Sequence, residues 1–416
     1  MTELQYLTAS EAARELGISM STLYSYVSRG LLRSEAADGP KRVRRYPVED
    51  VRRLKDRQQI RRDPNMVVDT VLDWGTPILD SSLTLIDNGC YYYRGLEVLS
   101  LAATETIERV AALLWYGAMS DEPSLFTTLE AVIPPQCVRL LPSLAGMRQV
   151  EQFAVLLPVA AAEDPASYDL RPAQVAQTGA RILRLLTAIA AGIDQPNMPV
   201  ASVLQAGWAP GRPEIVDVLN AALVLSADNE LNVSSFTVRC VASAGSNPYQ
   251  AVSAGLAALQ GVKHGGIGER VEALLREVAT PELARRTLSD RLRRGEAIPG
   301  FGHRLYPEGD PRGRLMLELA AKVAPGSDAV QLAVQVAREA EDILGEGPVI
   351  DYGLVALSNA LKLPSGSALA LFALGRTVGW IGHAIEQYRT DKLIRPRAQY
   401  VGEMPGDSNH NWEDLK

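Results

Sequence analysis

A chain of 416 residues exceeds one ordinary core and predicts two or three domains. Apolar residues at 47% and charged residues at 22% exclude wholesale disorder, and aromatics at only 6% leave Leu, Val and Ala to build a core, which favours helix. The net charge of −7 hides an asymmetry: residues 1–62 hold 13 Lys and Arg against 8 Asp and Glu, and the other 354 hold 29 against 41. A small basic module (+5) joined to an acidic body (−12) implies two partners of different kind, with any polyanion meeting the basic end.

Glu3, Glu11, Arg14 and Glu15 leave no signal-peptide apolar region in the first fifteen residues, and no uncharged apolar run reaches the ~20 residues of a bilayer span. Cys90, Cys137 and Cys240 are odd in number and lack CxxC spacing, which argues against a disulfide framework or a zinc site. The expectation is a cytoplasmic chain with no membrane partner.

Thr8-Ala-Ser-Glu11 has capping-box spacing, and Ala12, Ala13 and Leu16 form an apolar stripe ending at Gly17. Ser19 or Ser21 caps a second helix, Thr22 to Ser28, which stops at Gly30. Two short helices around a Gly-containing turn read as helix–turn–helix. The stretch from Gly39 to Tyr46, with Lys41, Arg42, Arg44 and Arg45, reads as a basic hairpin wing, and Pro47 to Leu54 as a third helix. Together these segments resemble the winged helix–turn–helix of MerR-type regulators. That resemblance implies that Ser21, Thr22, Tyr24 and Ser25 face bases in the major groove and that Lys41, Arg42, Arg44 and Arg45 face phosphates. The plainer alternative is an accessory or dimerisation module.

From about residue 63 apolar positions recur at helical spacing, as in Ile107–Trp115, Val175–Ile193, Glu214–Ser226, Val252–Leu259 and Ala329–Leu344. Breakers stand between them at Pro134-Pro135, Gly192 to Pro199, Pro210 to Pro213 and Pro299-Gly300. Thr84 to Tyr93 reads as a strand pair turning at Asp87-Asn-Gly89. The fold class is all-α with a minor strand pair, without a fixed-period repeat.

Histidine is rare, which narrows the search for chemistry. His264 in Gly261-Val-Lys-His-Gly-Gly-Ile-Gly-Glu269 and His303 in Pro299-Gly-Phe-Gly-His-Arg-Leu-Tyr306 lie in glycine-flanked loops between helices, where a ligand can approach the backbone. His383 has helical spacing and reads as a packing residue, and His410 lies in a polar tail. Asp351, in Gly347-Pro-Val-Ile-Asp-Tyr-Gly353, is either a helix cap or a general base whose pKa is raised by apolar surroundings. Arg312, Arg376 and Arg395 are guanidinium groups able to hold carboxylates bidentately. The glycines fit neither G-x-G-x-x-G nor a P-loop.

The segments "ADNELNVSSFTVRCVAS", "GVKHGGIGE", "PGFGHRLYPEGDPRGR", "VIDY", "GRTVGWIGHAIEQ" and "LIRPRAQYVG", preceded by "YYYRGLEVLSLA", resemble the successive signatures of citrate synthase. The likeness runs in order over residues 66–403. It implies a large helical domain (63–264 and 366–416) and a small one (265–365) that closes over it, and a Claisen-type condensation of acetyl-CoA or another acyl-CoA with oxaloacetate or a related 2-oxoacid. No metal or permanently bound cofactor is implied, and the CoA thioester is a co-substrate. By position, Asp351 is the base, His264 stabilises the enol and His303 polarises the 2-oxoacid carbonyl. Asn229, Arg312 and Arg376 hold the 2-oxoacid, with Arg395 from the neighbouring subunit of a homodimer. Gly265, Gly266 and Arg304 line the CoA site.

The chain departs from the family pattern in four places. Asn229 stands where the family reads His in Ala-Asp-His-Glu, and it cannot become cationic. Tyr352-Gly-Leu354 replaces Phe-Tyr-Ser, which predicts looser surroundings for the base. Gly265-Gly-Ile-Gly268 replaces Gly-Gly-Ala-Asn, and Pro307 replaces a basic position near CoA. The leading expectation is a condensing enzyme with a DNA-binding module. The alternative is a metabolite-sensing transcriptional regulator built on a catalytically weak synthase body.

Overall fold

The computed structural model describes residues 6–28, 32–36, 44–48, 50–51, 78–87, 89–119, 125–126, 133–194, 198–306, 309–398 and 400–402. The chain divides into two compact units, Met1–Asp80 and Ser81–Lys416.

The first unit opens with strand β1 (Tyr6–Thr8) and helix α1 (Ala9–Leu16). Thr8 Oγ1 accepts from the Glu11 N–H while the Glu11 carboxylate accepts from the Thr8 N–H at 2.8 Å, so the expected capping box forms. Gly17 ends α1 at φ 62°, the left-handed conformation that favours glycine. Ser19, not Ser21, caps α2 (Met20–Ser28): its Oγ accepts from the Thr22 N–H at 3.2 Å, and the helix opens two residues earlier than expected. Strands β2 (Glu35–Ala36) and β3 (Arg44–Pro47) pair antiparallel as the base of the wing, and β1 adds to β3. Strand β1 has no counterpart in the sequence reading, because three residues carry no measurable alternation. Pro47 pairs with Tyr6 inside the sheet, so the third helix begins at Val48. The remainder of the expected helix, residues 52–54, together with Lys41 and Arg42, lies outside the described residues. Ala12, Ala13, Leu16, Leu23, Leu32, Tyr46 and Val51 form the core of this unit.

The second unit begins with a sheet of β4 (Thr84–Asp87), β5 (Cys90–Tyr93) and β6 (Leu96–Glu97) in that order, one strand more than predicted. Asp87 pairs with Cys90 across the two-residue turn. Period-2 alternation points Tyr91 and Tyr93 inward and leaves Tyr92 on the other face. Helices follow: α3 (Val98–Thr104), α4 (Ile107–Tyr116), α5 (Pro135–Leu140), α6 (Gln149–Ala162), α7 (Pro172–Ala191), α8 (Val200–Trp208), α9 (Val216–Ser226), α10 (Val233–Ser243) and α11 (Pro248–Leu259). Then come α12 (Ile267–Val278), α13 (Ala284–Arg293), α14 (Pro311–Val323), α15 (Asp328–Leu344), α16 (Ile350–Leu361) and α17 (Ser367–Thr390). Helix α12 shows the logic: Val271, Leu274, Leu275 and Val278 are its buried stripe, each contributing roughly 1.5–3 kcal/mol on burial.

Helix α17 is the axis of the body. It is long and apolar enough by composition to cross a membrane, yet 94% of its most apolar window is buried in protein. Helices α7, α9, α10, α11 and α16 pack around it. Gly379 lets the segment after α9 lie directly on the axis: its N–H donates to the Ala227 carbonyl at 2.9 Å, and a Cβ there would collide with that carbonyl and with the Asp228 carboxylate. The segment 227–230 is thereby fixed against α17, facing Arg376 and His383.

Candidate active site

Two hydrogen bonds join the His303 loop to the start of α16. The Val349 N–H donates to the Gly300 carbonyl at 2.9 Å and the Gly302 N–H to the Gly347 carbonyl at 3.1 Å, an antiparallel bridge between Phe301 and Pro348. Asp351 sits in the first turn of α16, but Val349 is the N-cap, so the capping reading of Asp351 does not hold. The capping carboxylate belongs to Asp310. One of its oxygens accepts from the Arg312 N–H at 3.0 Å at the start of α14, and the other from the Ile350 N–H at 3.2 Å at the start of α16. Just beyond, Gly353 faces α14, where a Cβ would stand 2.5 Å from Met316 Cβ. Glycine here tightens the crossing of α14 and α16 instead of loosening the base, contrary to the sequence expectation.

His264 lies in the turn between α11 and α12. A Cβ on Gly266 would come within 2.8 Å of the Gln260 and Gly261 carbonyl oxygens, so the fold of the turn itself requires glycine there. His264 Nε2 is 2.9 Å from Ser234 Oγ, which also accepts from Trp380 Nε1 at 3.1 Å and lies 2.8 Å from Asn232 Oδ1. The single Ser234 proton goes either to Asn232 or to His264; in the second case the imidazole carries its own proton on Nδ1. Burial, helped by the Arg376 charge, lowers the His264 pKa to about 3, so the ring is neutral near pH 7. His303 Nδ1 accepts from the Leu305 N–H at 3.2 Å, which puts the proton of the neutral ring on Nε2. Burial also lowers the His303 pKa, with Arg312 adding to the effect and Asp310 opposing it.

Asp351 is only partly accessible, and burial raises its carboxyl to about 7 although Arg312 and Arg376 both pull it down. Those two guanidiniums tie the constellation together. The Arg376 charge acts on Asp351 and His264, and the Arg312 charge on Asp351 and His303. Three segments far apart in sequence thus lie within the electrostatic reach of one pair of cations. A carboxyl near 7 and two neutral imidazoles under the same pair of cations are equipped to take a proton from carbon while N–H donors meet developing negative charge.

Asn229 borders the same space. Its Oδ1 accepts from Tyr306 Oη at 3.0 Å and lies 3.4 Å from Tyr91 Oη. The neighbouring Asp228 is fully buried: one carboxylate oxygen accepts from Thr84 Oγ1 at 2.5 Å and the other lies 3.1 Å from His383 Nε2. His383 does more than pack, because it partners the buried carboxylate that holds the Asn229 segment in place. Arg312 and Arg376 are each 1% exposed. Arg395 is exposed on the segment after α17, and Arg304 is exposed beside His303. Among the described residues no group of His, Cys, Asp and Glu is arranged to hold a metal ion.

In the N-terminal unit, Ser21 and Tyr24 of α2 are exposed, Tyr24 at 52%, and Thr22 and Ser25 are half-buried. Arg44 is exposed, with Nη1 donating to Ser34 Oγ at 2.7 Å. Arg45 lies over the Tyr6 ring at 4.2 Å and 3.8 Å from Glu35, so its guanidinium braces the sheet.

Sequence reasoning missed Ser234, Asp310, Tyr91 and Tyr306. Asp310 was signalled by Asp-Pro before a helix, a cap followed by proline at N1. Tyr91 was signalled by strand alternation. Nothing local marks Ser234.

Residues 71–397 match the family model of the citrate synthase C-terminal domain, and residues 6–59 that of a helix-turn-helix domain. The putative citrate synthase 2 of Mycobacterium tuberculosis is 31% identical over 351 residues, covering 79% of this chain and 91% of the relative. A 2-methylcitrate synthase of the same species is 31% identical over 335 residues, covering 74% and 84%. Among solved structures, the ternary complex of carboxymethyl coenzyme A and oxaloacetate with citrate synthase from Thermoplasma acidophilum superposes with a TM-score of 0.71 at 25% identity, covering 81% of this chain and 97% of that one. The citrate synthase of Thermotoga maritima gives 0.68 at 26% identity, covering 79% and 95%. The body built around Asp351, His264 and His303 is all-α like these structures, and the chain belongs to the citrate synthase family, with a helix–turn–helix domain at its N-terminus.

Proposed function

We propose that the protein condenses an acyl-CoA with a 2-oxoacid, and what carries this reading is the raised carboxyl of Asp351, which shares the Arg312 and Arg376 charges with two neutral imidazoles. The Asp351 carboxylate removes a proton from the carbon beside the thioester carbonyl, and the bonding pair moves into that carbonyl as an enolate. His264, with its proton on Nδ1 when Ser234 donates to Nε2, gives a hydrogen bond to the enolate oxygen. The carbon then attacks the 2-oxo carbon, and His303 supplies the Nε2 proton to the oxygen that becomes a hydroxyl. Water finally cleaves the thioester: the C–S bond breaks, a carboxylic acid forms, the sulfur leaves as CoA thiol with a proton from that water, and the proton held by Asp351 passes to His303 through solvent. Closure of residues 265–365 over the rest of the body excludes water until carbon–carbon bond formation is complete. The relative crystallised with carboxymethyl coenzyme A and oxaloacetate supports CoA thioester and 2-oxoacid as the two substrate classes.

The basic N-terminal unit binds DNA through α2 and the wing, supported by the exposed Tyr24, Ser21 and Arg44. A homodimer is expected on either activity, since Arg395 completes the site only from a neighbouring subunit. Following thiol release with a panel of acyl-CoA and 2-oxoacid pairs tests the enzymatic reading. At least one pair gives release that depends on both substrates; background rates with every pair contradict it and leave a ligand-sensing body.

A further inference from the structure

Four hydrogen bonds converge on the buried carboxylate of Asp310, which is 1% exposed. Oδ1 accepts from the Arg312 N–H at 3.0 Å and from Arg312 Nε at 2.9 Å. Oδ2 accepts from Arg312 Nη2 at 2.9 Å and from the Ile350 N–H at 3.2 Å. Helix capping accounts for the two backbone bonds. The other two grip the Arg312 guanidinium from the side, bidentately. Nη1 gives one proton toward Tyr91 Oη at 3.4 Å, so one N–H on each terminal nitrogen stays available for an acceptor carboxylate.

The Ile350 bond ties this arginine to the base, because Ile350 immediately precedes Asp351 in the first turn of α16. The helices have no slack at that point. A Cβ on Gly313 would stand 2.4 Å from the Pro348 carbonyl oxygen, and one on Gly353 would stand 2.9 Å from the Gly313 carbonyl oxygen. Asp310, Arg312 and Asp351 therefore form one block within residues 265–365, whereas Arg376 lies on α17 and His264 just before that segment. On closure of the segment, base and acceptor arginine travel together.

Asp310 also sets the charge balance of the block. Burial is the largest influence on the Asp351 carboxyl; after it, the Arg312 and Arg376 charges pull the carboxyl down and the Asp310 charge pushes it up. At His303, burial and the Arg312 charge act downward and Asp310 opposes them.

We propose that Asp310 is a positioning residue of the condensation, the link that presents the base on α16 and the acceptor arginine on α14 to the substrates as one part. It acts through Arg312 and Asp351 and not on substrate. The inference rests on the condensing reading for what the block does, so its test includes a readout that needs no turnover. In the full-length protein carrying a heavy carbon isotope in its aspartate carboxyls, NMR follows the Asp351 titration, with the signal assigned by its loss in Asp351→Asn. Thiol release from acetyl-CoA with pyruvate or oxaloacetate then gives kcat and KM. Asp310→Asn removes the charge and keeps the shape; it moves the Asp351 titration down by about half a unit and lowers kcat/KM by about 10²-fold, the cost of a misplaced reacting group. Asp310→Glu keeps the charge but displaces it by a methylene; the titration stays with wild type while kcat falls about tenfold. A residue that only caps two helices gives a lower Tm with titration, kcat and KM unchanged, and that result overturns the inference. Failure of both variants to fold overturns it as well. Should Asp310→Asn alone fail to fold, Asp310→Glu decides, and a wild-type kcat in that variant overturns the inference. A shifted Asp351 titration in Asp310→Asn, with no thiol release even by the wild-type protein, upholds the Asp310 link and overturns the condensing reading instead.

Discussion

Asp351 and His264 pull the stability of the fold in opposite directions with pH. The Asp351 carboxyl titrates at about 7 in the folded protein against an ordinary 3.8. Between those values the native state holds a proton that the unfolded chain has released, so stability falls as pH rises, by about 4 kcal/mol in total at 1.4 kcal/mol per unit. His264 titrates at about 3 against an ordinary 6.5. Its unfolded form binds a proton that the native form refuses, so stability falls as pH drops through that window, by about 5 kcal/mol. The lowered pKa of His303 acts with the same sign as His264. Between pH 4 and 6.5 the contributions largely offset one another, and the variants separate them. Stability of Asp351→Asn rises with pH across this window, whereas that of His264→Gln rises less than wild type or falls. Urea titrations at pH 4.5, 5.5 and 6.5 check this, and three parallel curves would refute the assigned protonation states. A related outcome is kinetic: because Asp351 works as carboxylate, kcat/KM for condensation increases as pH passes through about 7.

The helices were legible in sequence wherever their signals are local. The capping box at Thr8, the Asp87-Asn-Gly89 turn and the stripes of α4, α7, α9 and α15 form as predicted, within a few residues at the ends. What could not be read were relations between elements. The clamp of Asp310 across the starts of α14 and α16, and the Ser234 partnership with His264 thirty residues away, depend on which helices cross, and no single segment encodes that. Gly353 illustrates the difference. As a departure from Phe-Tyr-Ser it suggested a loosened base, but against Met316 and Gly313 it is the residue that lets α14 and α16 touch. Gly353→Ser therefore destabilises the protein by about 1–3 kcal/mol through overpacking. Thermal unfolding checks it; an unchanged Tm would show that the crossing has room to spare.

At the scale of the whole molecule, sequence arithmetic separates a basic module (1–62) from an acidic body, and the chain divides into two units at a later point, Met1–Asp80 and Ser81–Lys416. Each carries its own prediction. For the N-terminal unit, Arg44→Ala weakens binding of the full-length protein to DNA from its own upstream region and lowers the salt dependence by about one unit of slope. No salt-sensitive binding of that DNA by the full-length protein would contradict the DNA-binding reading. For the body, mixing Arg395→Ala with Asp351→Ala restores part of the lost activity through hybrid dimers, measured as thiol release after subunit exchange. No recovery would place Arg395 outside any shared site.

Everything in the catalytic proposal depends on Asp351 reaching the carbon beside a thioester carbonyl, and solvent exchange at that carbon reports on it directly. With acetyl-CoA in deuterated buffer and a 2-oxoacid bound, the wild-type protein incorporates deuterium into the acetyl methyl group. Asp351→Asn slows incorporation by about 10²–10⁴-fold, the range for loss of a positioned base. Incorporation at the same rate in both proteins would contradict the assignment of Asp351 as the base.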